Sequence, residues 1–178
     1  MTGLLVIDIQ NFYENSLVDF EKTCTNAGKV IDKFRKNKLP VFHIRHIKKV
    51  PVINKIIPLE KMREFQIHDN VKPLEGELII DKYFINCFRE TTLLEKLKEK
   101  KVKNLVICGM MTHMCVDAAV RASNDYGFNV TVIDDACTTK DLKYRDQVIK
   151  AMDVHNTMLA AFEYGYAKVI STEEFLKK

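Results

Sequence analysis

Six short runs rich in branched aliphatic residues recur along the chain: LLVIDI (4–9), LPVFHIRH (39–46), ELIID (77–81), NLVICG (104–109), NVTVID (129–134) and AKVIS (167–171). Several are apolar at odd and even positions alike, the pattern of strands covered on both faces in a parallel sheet. Between the first two runs, Phe20, Cys24, Ala27, Val30, Ile31 and Phe34 recur at three- and four-residue spacing and predict a helix with one apolar stripe. Leu93, Leu94 and Leu97 mark a shorter helix behind Thr91 or Thr92 as N-cap. A third helix is expected from about Met114 to Tyr126, stopped by Gly127, and a fourth over about 141–163 with Asp141 as its cap. Ser171 and Glu174 have the spacing of a capping box for a last short helix.

Strand–helix alternation of this kind predicts one α/β domain over residues 1–178. Its expected form is a three-layer α/β/α, doubly wound, six-stranded parallel sheet in the common order 3-2-1-4-5-6, numbering the runs along the chain. The exception is 47–76, which holds Pro51, Pro58 and Pro73 without a clear period. It reads as an irregular excursion over the sheet and a candidate substrate cover.

Composition narrows the class. With 178 residues, 47% hydrophobic and 29% charged, the chain has material for a sizeable core. No apolar run approaches the roughly 18 residues of a membrane helix, and the opening MTGLLVIDIQ lacks a basic start, so a cytoplasmic protein without membrane contact is expected. Five cysteines, odd in number and without a Cys-x-x-Cys pair, point to reduced thiols rather than to a disulfide framework or a zinc ribbon. The formal charge of +4 is mild, and the densest basic stretch, EKLKEKKVKN, is interleaved with glutamates. It reads as a solvated helix face, not as a nucleic-acid footprint.

Absences narrow the chemistry further. There is no glycine-rich phosphate loop and no G-x-G-x-x-G, and none of Ser16, Ser123 and Ser171 sits in a G-x-S-x-G elbow. His43 and His46 are three apart; on a strand such positions face opposite sides and cannot easily share an ion. The favoured reading is two strand-end histidines near solvent or a neighbouring carbonyl.

The stretch CGMMTHMC (108–115) follows the fourth run. Gly109 permits an unusual turn, and Cys115 then falls in the first turn of a helix, where unpaired N–H groups and the positive dipole end favour a thiolate. Cys108, inside the strand, is better placed as a small core residue. By position alone Cys115 reads equally as a packed thiol or a nucleophile. In the expected sheet, ligands collect beyond the C-terminal strand ends. Asp8 ends the first run, Lys82 follows the third and Cys115 follows the fourth. A partly desolvated Asp8 suits the holding and return of a proton, and a nearby Lys82 ammonium would stabilise both carboxylate and thiolate. Singly, the first reads as a cap and the second as a surface lysine; together they form a candidate site.

These residues resemble the isochorismatase-like cysteine hydrolase superfamily, which includes nicotinamidases, carbamoylsarcosine amidases, ureidoacrylate amidases and isochorismatases. LLVIDIQNFY is similar to the family's aspartate block, GELIIDKYFINCFRETTL to its lysine block and LVICGMMTHMCVDAAVRASNDYGFNVTVIDDACTT to its cysteine block. The resemblance implies a catalytic triad of Asp8, Lys82 and Cys115. It also implies a cis peptide between Met110 and Met111, and an oxyanion hole from the backbone N–H groups of Met111 and Cys115. The implied reaction is hydrolysis of an amide or carbamoyl C–N bond of a small-molecule substrate through a thioester, with no cofactor.

Departures from the family pattern bear on the substrate. The Asp-x-His metal cluster of nicotinamidases has no counterpart in HIRHIKK, so no metal is expected and nicotinamide is demoted. Phe12 stands where an acidic residue is frequent and Tyr13 where Phe is frequent. Gln10, Tyr13, Phe84, Met111 and His113, beside the motifs, are candidate pocket residues. Members of the family are commonly oligomeric, which implies a homo-oligomer; Met152, Met158, Leu159 and Phe162 would serve either such an interface or the core. Two other readings stand beside the amidase: vinyl-ether hydrolysis of the isochorismatase type, against which retention of Cys115 argues, and a catalytically silent protein that only binds a small molecule.

Overall fold

The computed structural model describes residues 1–47 and 62–177. Along the chain its elements are β1 (Thr2–Ile7), α1 (Phe20–Lys36), β2 (Val41–His46), β3 (Leu78–Lys82), α2 (Leu93–Glu99), β4 (Asn104–Met110) and α3 (Asp117–Asp125). There follow β5 (Asn129–Thr138), β6 (Leu142–Tyr144), β7 (Gln147–Ile149), α4 (Ala151–Gly165), β8 (Lys168–Ile170) and α5 (Thr172–Lys177). The six aliphatic runs all become strands of one sheet in the order β3-β2-β1-β4-β5-β8, every pairing parallel. This is the expected 3-2-1-4-5-6 order, with AKVIS as β8.

The alternation of side chains along the strands splits the core in two. Leu4 and Val6 of β1 pack with the α1 stripe, from Phe20 to Phe34, and with Phe175 of α5. Leu5 and Ile7 face the other way, onto Leu93 and Leu97 of α2, Ala119 and Val120 of α3, and Phe162 of α4. Helices therefore cover both faces, which is why β1 is buried at successive positions. Cys108 is a buried core residue, as expected. Among the described residues no helix is long and apolar enough to cross a membrane.

Local signals are met in part. Thr91 Oγ accepts from Leu93 N–H at 3.4 Å, and Ser171 and Glu174 form the reciprocal capping box, Ser171 N–H to Glu174 Oε2 at 2.8 Å and Glu174 N–H to Ser171 Oγ at 3.2 Å. The fourth helix is shorter than its pattern suggested, because β6 and β7 form an antiparallel hairpin turned by Arg145 at φ +53°. Asp141 nevertheless caps α4 from ten residues away, its Oδ1 accepting from Ala151 N–H at 2.8 Å. The third helix is preceded by a π-helical turn, Thr112–Val116, and Gly127 follows its end at φ +82°.

Residues 48–61 of the proline-containing excursion lie outside the described residues, and with them that part of the expected cover. Residues 62–71 are laced to the exit of β1, where His68 N–H donates to Ile9 O at 2.9 Å and Asn11 N–H to Gln66 O at 3.1 Å.

Gly109 is the glycine on which the sheet's central pairing depends. It lies opposite Ile7 in the β1–β4 ladder at φ +130°, and a methyl group there would stand 2.1 Å from the Ile7 carbonyl oxygen. Gly109→Ala should lower the melting temperature by about 10 °C or more, as expected for a loss above ~3 kcal/mol in a chain of this size. Gly76→Ala, at φ +87° with nothing within 4 Å, should cost only a few degrees. Thermal denaturation followed by circular dichroism distinguishes the two, and equal melting of both variants would contradict this account.

Candidate active site

Parallel strands all end on the same edge of the sheet, and the order β3-β2-β1-β4 sets four such ends side by side. Asp8 follows β1 at φ +52°, a left-handed conformation that aspartate tolerates better than most residues, and its side chain is fully buried. Lys82 closes β3 and is equally buried. Cys115 lies in the π-helical turn after β4, a segment entered through a cis Met110–Met111 peptide. The structure thus brings Asp8, Lys82 and Cys115 together.

Lys82 Nζ is the hub. It lies 2.8 Å from Asp8 Oδ2 and donates to Phe84 O at 3.1 Å, His46 Nδ1 at 3.1 Å and Cys115 Sγ at 3.2 Å. Asp8 Oδ1 is buried with no hydrogen-bond partner among the described residues, an acceptor still open for a proton or a ligand. Burial raises the pKa of Asp8 despite the nearby ammonium, which makes it a stronger base than an ordinary carboxylate. Burial alone would lower Lys82, but the charge of Asp8 and the hydrogen bonds to Asp8 and Cys115 outweigh it and hold the ammonium above its usual range.

Cys115 departs from expectation. Burial first, then the negative charge of Asp8, push its thiol up to about 12, with Lys82 pulling the other way. The helix-start argument for a resting thiolate fails because Cys115 is buried, only 4% exposed, and its thiol faces a carboxylate.

The candidate pocket residues divide. Gln10 and Tyr13 line a small pocket with Phe12, His46 and Phe65. The Gln10 amide is spent on the protein: Nε2 donates to Phe65 O and His46 O at 2.8 and 3.1 Å, and Oε1 accepts from His46 N–H at 2.8 Å. Tyr13 is half-buried, and burial with the charges of Asp8 and Cys115 raises its phenol. Phe84 supplies its carbonyl to Lys82, and its ring lies under the Arg89 guanidinium at 3.8 Å. Met111 is buried, and its carbonyl accepts from Met114 N–H at 2.9 Å. His113 is hydrogen-bonded to Thr139 at the end of β5.

The two histidines do take different sides of β2; His46 ends the strand and is partly exposed, as expected, whereas His43 is not a strand-end group near solvent. His43 is fully buried against Glu77, Nε2 to Oε2 at 2.9 Å, and His46 belongs to the site. His46 was missed although it ends the second run, the criterion that selected Asp8 and Lys82. Sequence reasoning also missed the brace behind the cysteine turn, in which Thr112 Oγ donates to Thr138 O at 3.1 Å and lies 2.9 Å from His155 Nδ1. Among the described residues, Asp8, His46 and Cys115 could hold a metal, their donor atoms lying within 4.8 Å of one another. Lys82 Nζ already contacts all three.

Comparison with known proteins places the chain in a family. The family profile of the isochorismatase domain matches residues 2–174. The uncharacterized isochorismatase family protein YddQ of Bacillus subtilis is 43% identical, covering 99% of both chains. A solved isochorismatase-hydrolase structure from Oleispira antarctica superposes with a TM-score of 0.90 at 38% identity, over 99% of this chain and 96% of that one. More distant relatives include nicotinamidase 3 of Arabidopsis thaliana, 24% identical over 98% of this chain and 86% of its own. The ureidoacrylate amidohydrolase RutB of Acinetobacter baylyi is also 24% identical, over 76% of this chain and 51% of its own.

The thiol's environment has a testable sign. Because Asp8 raises the Cys115 pKa, Asp8→Asn should lower it, so alkylation of Cys115 by iodoacetamide at pH 8 should become faster in the variant. In the wild type the rate should keep rising beyond pH 9 without a plateau near the ordinary thiol value of about 8.5. Mass spectrometry of the Cys115 peptide gives both rates; a wild-type plateau near 8.5 would contradict the assigned environment.

Proposed function

Because the chain belongs to the isochorismatase family of hydrolases, we propose that it is a cysteine hydrolase that cleaves an amide or carbamoyl C–N bond of a small molecule. The observation that carries this reading is the convergence on one ammonium of a carboxylate with an open oxygen and a thiol. That is a base, a nucleophile and a counter-ion within one buried cluster. The family relatives named for nicotinamide and ureidoacrylate hydrolysis support an amide substrate class.

In the proposed reaction Asp8 accepts the Cys115 proton as sulfur attacks the carbonyl carbon, forming the S–C bond. The backbone N–H groups of Met111 and Cys115 are proposed to receive the developing oxyanion, and Lys82 balances the charge that moves between sulfur and carboxylate. Asp8 returns the proton to nitrogen as the C–N bond breaks and the amine leaves. Water then gives a proton to Asp8 and its oxygen to the thioester carbon, the S–C bond breaks, and the sulfur regains its proton. A raised Asp8 pKa suits a group that must accept and return a proton twice in each cycle.

The test is ammonia release from a panel of small primary amides and ureido compounds, nicotinamide and ureidoacrylate among them. Cys115→Ala should lose at least about 10³-fold and Asp8→Asn about 10²–10⁴-fold in kcat. Release undiminished in Cys115→Ala would remove the nucleophile from the scheme. Cleavage of a vinyl ether, with no amide in the panel accepted, would overturn the bond assignment.

A further inference from the structure

Among the described residues, the atoms arranged as a metal ion would need surround a side chain instead. Asp8, His46 and Cys115 offer a carboxylate oxygen, an imidazole nitrogen and a sulfur within 4.8 Å of one another, a donor set that suits a thiophilic divalent ion. At their shared focus stands Lys82 Nζ, 2.8 Å from Asp8 Oδ2, 3.1 Å from His46 Nδ1 and 3.2 Å from Cys115 Sγ. An ammonium only donates, so the 3.1 Å contact requires His46 Nδ1 to accept through its lone pair.

The topology explains why a fourth group is needed. Lys82 ends β3, whereas Asp8 follows β1 and Cys115 follows β4, so the lysine side chain has to cross the end of β2 to reach them. Strands in a sheet lie about 4.8 Å apart, which makes that crossing about 10 Å from strand to strand. His46 is the last residue of β2 and the register partner of Lys82. Register partners in a parallel pair project to the same side of the sheet, which sets the imidazole beside the lysine on its way across. His46 is itself held by its backbone, its N–H and carbonyl both bonded to the buried Gln10 amide.

We propose that His46 is a positioning residue: its accepting Nδ1 holds the Lys82 ammonium at the centre of the cluster, in the place a metal ion would take, so that the charge faces Cys115. The consequence for catalysis rests on the cysteine-hydrolase reading; the geometry does not.

Two measurements on the full chain test it without turnover. In Lys82→Ala the centre is vacated, and added Co²⁺ should produce thiolate-to-cobalt absorption in the near ultraviolet, absent from the wild type. The Lys82→Ala/His46→Leu double variant should bind Co²⁺ at least about tenfold more weakly than Lys82→Ala. Equal binding by both, or no absorption in Lys82→Ala, overturns the shared focus. With Lys82 retained, His46→Leu should slow iodoacetamide alkylation of Cys115 at fixed pH about tenfold. His46→Asn, whose Oδ1 replaces Nδ1 as acceptor, should recover to within about threefold of wild type. Equal slowing in both variants, or none in His46→Leu, overturns the positioning role. Failure of the hydrolase reading would show separately, as an absence of ammonia release with both results intact.

Discussion

A lysine ammonium with no exposure to water is the constraint around which this end of the molecule is built. A buried ion is expensive to desolvate, and removing one partner from a buried pair typically costs about 3–5 kcal/mol, because the other charge is left uncompensated. Lys82 meets that cost with four acceptors for three protons: Asp8, His46, Phe84 and Cys115. The surplus matters chemically. A proton can shift toward sulfur as negative charge develops there, and the ammonium never loses a full set of partners.

Such a cluster exists only because of the sheet. Parallel pairing puts every C-terminal strand end on one edge, and the order β3-β2-β1-β4 lays Lys82, His46, Asp8 and the cysteine turn across it in sequence. Each position is then secured locally. Asp8 leaves β1 in a left-handed conformation while its N–H remains bonded to Ile44 O at 3.0 Å, which anchors the residue to β2. Gln10 uses its whole amide to tie the exits of β1 and β2 to the turn at Phe65. Gly109 lets β4 approach β1 closely just before the cysteine turn. The cluster assembled from four strand ends therefore depends on the backbone contacts that fix those ends.

The parts legible in the sequence were those that burial on two faces enforces. Strands covered by helices on both sides have to be aliphatic throughout, so all six runs stood out and their order followed the commonest doubly wound pattern. The helix expected over 141–163 was misjudged because Leu142, Val148 and Ile149 supply apolar residues at spacings that a helix and a hairpin both accept. Only the turn at Arg145 separates the two readings. Asp8, Lys82 and Cys115 were found by asking which reactive residues end a strand. His46 escaped because it was weighed as half of a histidine pair for a metal, rather than as the residue ending β2. The thiol's resting state was unreadable for a different reason. A helix start is a local feature, whereas the burial and the facing carboxylate that raise the Cys115 pKa come from tertiary packing.

A nucleophile that rests as a thiol is consistent with hydrolysis once charge is counted over the whole cluster. The thiolate is the reactive form toward alkylating agents and oxidants, so a raised pKa protects Cys115 from both. Under the proposed mechanism, moving the proton from Cys115 to Asp8 converts a thiol and a carboxylate into a thiolate and a carboxylic acid. One negative charge exists before the transfer and one after it, and Lys82 lies within 3.2 Å of both atoms that carry it. The buried site is thus neutral with its lysine throughout, and no ion has to be desolvated at the moment of reaction. Burial that isolates a cysteine from water is offset in part when base and counter-ion share the same cavity, because it raises Asp8 and Cys115 in the same direction.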